Sequence, residues 1–171
     1  MTGIIKVDTI QNNGGTTGLT IDSSGNVTAS GIIYPKGLSY WPSCSYHKTS
    51  TQTASSAPEK ISFQTKLHDN GDNFSTSTSL FTCPIAGVYI ASCVILTEND
   101  TTGSNYGVYL NSSLMSRNRT GTSSGHQSET LTAHLNASAN DTIHFAITTS
   151  GHKAYGDSNV WTTMHITYVG G

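Results

Sequence analysis

From Tyr40 to the C-terminus, apolar residues come in short runs that alternate with polar ones: Lys60 to Thr65, Ser79 to Pro84, Gly87 to Leu96, Tyr106 to Leu114, Thr130 to Leu135, Thr142 to Thr148 and Val160 to Val169. Turn-forming Gly, Pro, Asn, Asp and Ser lie between them. A period of two puts successive side chains on opposite faces of a strand, so each run has one face to bury and one to leave outside. No segment sustains an apolar period near 3.6 residues, and there is no heptad or longer internal repeat. This pattern predicts an all-β, antiparallel β-sandwich with negligible helix.

Composition agrees and excludes several function classes. Only 11% of residues are charged, so neutral hydrogen-bonding side chains must solvate the surface. The formal net charge is −2 and no stretch gathers Lys or Arg, which argues against a nucleic-acid partner. No apolar run reaches the roughly 18 residues of a membrane span, and the first residues lack the charged and apolar regions of a signal peptide. The expectation is a soluble chain without membrane insertion, made in the cytoplasm.

At 171 residues the chain can build one core of ordinary size plus a small appendage. The appendage is N-terminal. Residues 4 to 10 read as a short strand, Asn12-Asn13-Gly14-Gly15 breaks it, and Leu19, Ile21 and Val27 flank the turn Asp22-Ser23-Ser24-Gly25-Asn26. So few apolar residues cannot offset an ordering entropy of roughly 1 to 2 kcal/mol per residue. Ile5, Val7, Leu19, Ile21 and Val27 are therefore candidate contacts, either with the same segment of other copies, intertwined about an axis, or with a larger particle. Gly31 to Gly37, with Pro35, reads as a linker, which divides the chain into 1–37 and 38–171.

The potentially reactive residues read as structural. Cys44, Cys83 and Cys93 have no metal-type spacing and are expected as buried reduced thiols. None of the seven histidines forms a zinc-enzyme pair, although one of His134, His144 or His165 near a threefold axis would present three imidazoles to a metal; no cofactor is predicted. Asp69, Asp72 and Asp100 offer carboxylates without EF-hand spacing, and the Asn-x-Ser/Thr sequons follow from the composition. Gly121-Thr122-Ser123-Ser124-Gly125 has the form of a nucleophile elbow but lacks a strand-turn-helix context, so it reads as a loop. A glycan hydrolase would need two carboxylates about 5 to 9.5 Å apart, and Glu59, Glu98 and Glu129 are scattered.

Recognition by loops remains. Tyr106 and Tyr155 are expected to present aromatic faces, while Tyr89, Tyr109 and Trp161 are expected in the core or an interface. Arg117 and Arg119, at what reads as a hairpin tip before a Ser-Gly run, could hydrogen-bond a sugar or an anion.

Phe63, Asp69, Phe74, Phe81, Gly87 and Tyr89 also fall at a spacing that resembles the signature of the complement C-one-q globular-head family, part of the tumour-necrosis-factor superfamily. Phe81-Thr82-Cys83-Pro84-Ile85-Ala86-Gly87-Val88-Tyr89-Ile90 is similar to its most recognisable strand and turn. Leu135 to Ile143 and Trp161 to Tyr168 resemble later strands, so the likeness spans about residues 44 to 169. Ala91 and Cys93 stand where the family has aromatics, and Asn140 where it has glycine. The resemblance implies a jelly-roll head that forms a homotrimer and binds through variable loops.

Residues 5 to 10 and 19 to 27 resemble segments of phage tail-fibre and virion-appendage proteins, notably those of cyanobacterial phages. Together these resemblances imply a non-enzymatic, trimeric virion protein, a fibre tip or adhesin that joins other virion proteins through its N-terminus. Tyr106, Arg117, Arg119 and Tyr155 would bind a host-surface glycan or protein. A capsid decoration protein that cements the particle is the alternative.

Overall fold

The computed structural model describes residues 9–11, 17–29, 38, 40–98, 102–122 and 124–171. The chain divides into two compact units, Met1–Ser39 and Tyr40–Gly171.

In the first unit, β1 (Thr9–Gln11), β2 (Thr17–Ile21) and β3 (Val27–Ala29) form an antiparallel sheet in that order. The expected strand, turn and strand around Asp22 are present. The Asp22 carboxylate accepts the Ser24 and Asn26 backbone N–H groups at 2.9 Å each and the Asn26 amide at 2.7 Å, while Gly25 takes φ 83°. Leu19 and Ile21 are half-buried, and Val27 is 62% exposed. Ile5, Val7 and the linker 31–37 lie outside the described residues.

The second unit contains β4 (Ser43–His47), β5 (Gln52–Thr53), β6 (Glu59–Lys60), β7 (Thr65–Asn70), β8 (Phe74–Ser75), β9 (Leu80–Thr82), β10 (Gly87–Glu98), β11 (Asn105–Leu110), β12 (Ser113–Arg119), β13 (His126–Ala137), β14 (Thr142–Ile147), β15 (Lys153–Ala154) and β16 (Thr163–Gly170). One sheet runs β13-β10-β16-β4-β7; the other runs β12-β11-β14-β9-β8, with β6 added beside β14. All pairings are antiparallel. The result is an all-β jelly-roll sandwich, with no helix among the described residues.

The core lies between the sheets. Tyr89, Ala91, Cys93 and Ile95 of β10 point inward beside Leu131, Ala133 and Leu135 of β13 and Met164, Ile166 and Tyr168 of β16. The aromatic signature residues supply its rings. Phe81 meets Tyr89 edge to face at 5.8 Å, Tyr89 meets Tyr168 at 5.2 Å, and Phe63 meets Phe74 and Phe145 at 6.5 and 6.3 Å. Such rings each bury roughly 150–250 Å² and gain about 0.5–1.5 kcal/mol per pair beyond that. Asp69 is not in the core; it accepts the Tyr46 hydroxyl at 2.9 Å and the Asn73 and Phe74 N–H groups at 3.1 Å, closing the turn after β7. Gly87 has φ 143°, and a Cβ there would come within 2.6 Å of the Tyr168 ring. Cys44, Cys83 and Cys93 are free and buried, and burial pushes the Cys83 thiol up to about 12.

Several predicted strands are corrected. The run Lys60 to Thr65 is not one strand: β6 belongs to one sheet and β7 to the other. Residues 61–64 carry the chain across, with Ile61 N–H donating to Phe145 O at 2.8 Å and Gln64 N–H to His47 O at 3.2 Å. The run Tyr106 to Leu114 ends at Leu110, because Asn111 turns at φ 54° and the chain returns as β12. The last strand starts at Thr163 rather than Val160. β4 was not predicted, since Ser43-Cys44-Ser45-Tyr46-His47 looks polar, yet it lies between β16 and β7.

Candidate binding surfaces

Among the described side chains, the outward face of the five-stranded sheet carries no Asp, Glu, Lys or Arg on β4, β13, β16 or β10 as far as Leu96; Glu98, paired with His126, ends the β10 row. The residues that alternate with the core positions are Val88, Ile90, Ser92, Val94 and Leu96 on β10, flanked in register by Asn136, His134, Thr132, Thr130 and Ser128 of β13. On the other side stand Thr163, His165, Thr167 and Val169 of β16, the last 46% exposed, and beyond them Ser43, Ser45 and His47 of β4. The aliphatic stripe of this face is what buried strand faces look like, while Ser45 and His47 at the β4 side are covered within the head. His47 is buried there with no hydrogen-bond partner for Nδ1.

Histidines are concentrated on the same face. His165 and His134 stand on opposite sides of β10, one row apart, and His68 follows at the β7 edge, within 2.9 Å of Ser43 Oγ. Burial, then the neighbouring His68, lowers the His165 pKa. His144 is separate from them: it lies on β14 in the other sheet. No group of three or more His, Cys, Asp or Glu among the described residues is arranged to hold a metal.

The predicted ligand-binding residues do not form one site. Tyr106 is corrected outright. It is fully buried on β11, and its hydroxyl donates to the Lys153 carbonyl, because its place in the strand alternation turns it into the core. Arg117 and Arg119 are on the edge strand β12 rather than a hairpin tip; Arg117 is exposed, and Arg119 donates from Nη2 to the Thr102 carbonyl at 2.8 Å. Tyr155 is in the loop between β15 and β16, with its ring edge-on to His126 at 5.3 Å. The Gly121–Gly125 run joins β12 of one sheet to β13 of the other, with no helix after it, and Ser123 lies outside the described residues, as do Asp100 and the side chain of Glu98. Glu59 is engaged by Gln52 and Ser55, and Glu129 by Asn118, in separate places.

Around Tyr155 lies a concavity of about 360 Å³ lined by Leu96, His126, Tyr155, Asp157, Asn159 and Trp161. Trp161, expected in the core or an interface, is 53% exposed on the head. The Asp157 carboxylate organises the loop, accepting the Tyr155 hydroxyl at 3.1 Å and the Asn159 N–H at 2.6 Å and amide at 3.3 Å. Burial opposes its ionisation, but these hydrogen bonds prevail and hold the carboxyl below the usual aspartate range. The loop is anchored from beneath: Tyr155 N–H donates to Leu96 O at 2.8 Å, buried Thr162 accepts the Leu96 N–H at 3.0 Å, and Gly156 sits so close to Lys48 that a Cβ would approach its Cγ to 2.6 Å. The sequence signal for this site is Tyr155-Gly-Asp157-Ser-Asn159-Val-Trp161, an Asp/Asn turn between two aromatics.

Two antiparallel sheets in this strand order make a jelly-roll sandwich. The same fold occurs in the globular domain of zebrafish complement 1qA protein, at 16% identity, TM-score 0.62, covering 75% of this chain and 97% of that one. Murine APRIL gives 12% identity and TM-score 0.60 over 75% and 98% of the chains, and Eiger TNF from S. frugiperda 10% and 0.59 over 76% and 93%. Residues 45–166 match the C1q domain, and the chain belongs to that family. No curated protein matches it in sequence.

Proposed function

We propose that the protein is a non-enzymatic, homotrimeric binding module of a phage virion, a fibre tip or adhesin that attaches the particle to a host-surface glycan or protein. The observation that carries the assembly is the aliphatic stripe on the outward face of the five-stranded sheet. Val88, Ile90, Val94 and Val169 gain by leaving water at roughly 25 cal/mol per Å² when a second copy covers them. Trimerisation then presents three sets of loops at once, which turns weak single contacts into firm attachment.

The virion role rests on the N-terminal segment. Its hairpin leaves Val27 bare and buries Leu19 and Ile21 only by half, which suits a segment ordered against neighbouring chains. The same exposure supports the second reading, capsid decoration, in which this segment clamps coat subunits.

Sedimentation at micromolar concentration tests the assembly, and a monomer overturns it. Cryo-electron microscopy of purified particles tests the location. Trimers at the tips of tail appendages support attachment, trimers on the capsid lattice support decoration, and absence from the particle overturns both.

A further inference from the structure

We infer that the concavity formed by Leu96, His126, Tyr155, Asp157, Asn159 and Trp161 is a binding site for a neutral pyranose ring. The inference deepens the binding-module reading and rests on it for the source of the sugar, a glycan on a surface the module attaches to.

The site is organised before any ligand arrives. A carboxylate has about four acceptor positions, and Asp157 uses three of them on Tyr155 and on both Asn159 nitrogens. It therefore fixes the Tyr155 ring and the Asn159 amide without a ligand. Trp161, two residues on from Asn159, holds an indole half open to water beside them. An apolar plane beside fixed polar groups matches a pyranose, which has one face of C–H bonds and a rim of hydroxyls. The volume of about 360 Å³ falls at the small end of ligand pockets, roughly 300–1,000 Å³, and suits one or two rings.

Charge selects the class. The lining has no Lys or Arg, and Asp157 remains ionised, so uronates, sialic acids and phosphates are disfavoured. A quaternary ammonium would need aromatic faces converging on one point. Here the His126 and Tyr155 rings meet edge to face at 74°, so they pack on each other rather than enclose a cation.

The chain has two tryptophans, so Trp41→Phe leaves Trp161 as the sole indole reporter. The full-length variant is titrated with the methyl glycosides of glucose, galactose, mannose and N-acetylglucosamine, with methyl glucuronide and choline alongside. A saturable change in Trp161 emission is expected for at least one neutral glycoside, weakened at least about tenfold by Asn159→Ala and by Asp157→Ala. Calorimetry of Trp161→Ala should show no binding. No saturable response to any neutral glycoside at about 100 mM overturns the site, as does an equal or stronger response to choline or glucuronide. Sedimentation of the same samples separates the two readings. A trimer that binds no sugar defeats only the pocket, a monomer that binds sugar defeats only the trimer, and a Trp161→Ala variant that loses the trimer makes Trp161 a subunit contact and defeats the pocket.

Discussion

Tyr109 and His144, directly opposed on β11 and β14, stack face to face with ring centroids 5.0 Å apart and planes 8° from parallel. Burial, then the nearby Lys60, pushes the His144 pKa down to about 4.

That stack predicts acid sensitivity. As pH falls through 6.5 the unfolded chain binds a proton at this imidazole, while the folded chain does not until near pH 4. Stability therefore drops across that window, by about 1–2 kcal/mol once solvent screening of a partly exposed ring is allowed for. His144→Phe keeps the ring and removes the titration. Urea denaturation at pH 7 and pH 4.5 should show a smaller loss for the variant, and an equal loss would refute the assignment.

Lys48 predicts the opposite end of the pH scale. Its side chain is fully buried, donating at 3.1 Å to Gln52 Oε1, Ser62 O and Ser62 Oγ, and burial pushes its pKa down to about 8 in spite of Glu59. Between pH 8 and 10.5 the unfolded chain holds a proton that the folded chain has shed, so the penalty of burying the charge fades as pH rises. The stability of wild type relative to Lys48→Met should increase by about 2–3 kcal/mol over that range. Comparing the two proteins cancels the opposing titration of buried tyrosines and thiols.

The sheet face predicts a charge-sensitive assembly. Ile90 lies between His134 and Thr167 on an uncharged surface, so Ile90→Asp should leave the head folded by circular dichroism and convert trimers to monomers in sedimentation. Protonating His165, which burial and His68 both oppose, should weaken association as pH falls below the ordinary histidine range. A pH-independent trimer would show that these imidazoles lie outside the contact.

Asn140 stands where the family has glycine, and it turns at φ 71° while its N–H donates to Cys83 O at 2.8 Å. Asparagine tolerates this left-handed conformation better than other side chains. Asn140→Gly should therefore leave the melting temperature nearly unchanged, whereas Asn140→Val should cost about 1–2 kcal/mol.

Much of the head was legible because the responsible signals are local. Alternation identified β10 and β14, and the spacing of Phe63, Phe74, Phe81 and Tyr89 marked rings that do meet in the core. The crossing at 61–64 was not legible, since Ile61 and Phe63 alternate as a strand would while their backbones bond to two different sheets. Nor was β4, whose polar sequence is a strand only because β16 and β7 flank it. Among the aromatic candidates, Tyr106, expected in a loop, is buried in the core, while Trp161, expected in the core or an interface, is half exposed on the head.

By itself, then, the sequence determined a period of two, the turns that interrupt it, the apolar inventory of a sandwich and the near absence of charge. Those are properties of neighbouring residues. Tertiary structure alone decided that the Asp157 loop would lie beside Leu96 and His126, and that one sheet would carry an aliphatic stripe on its outward face. Both depend on strands far apart in the chain lying side by side, and burial is fixed by that pairing rather than by residue type.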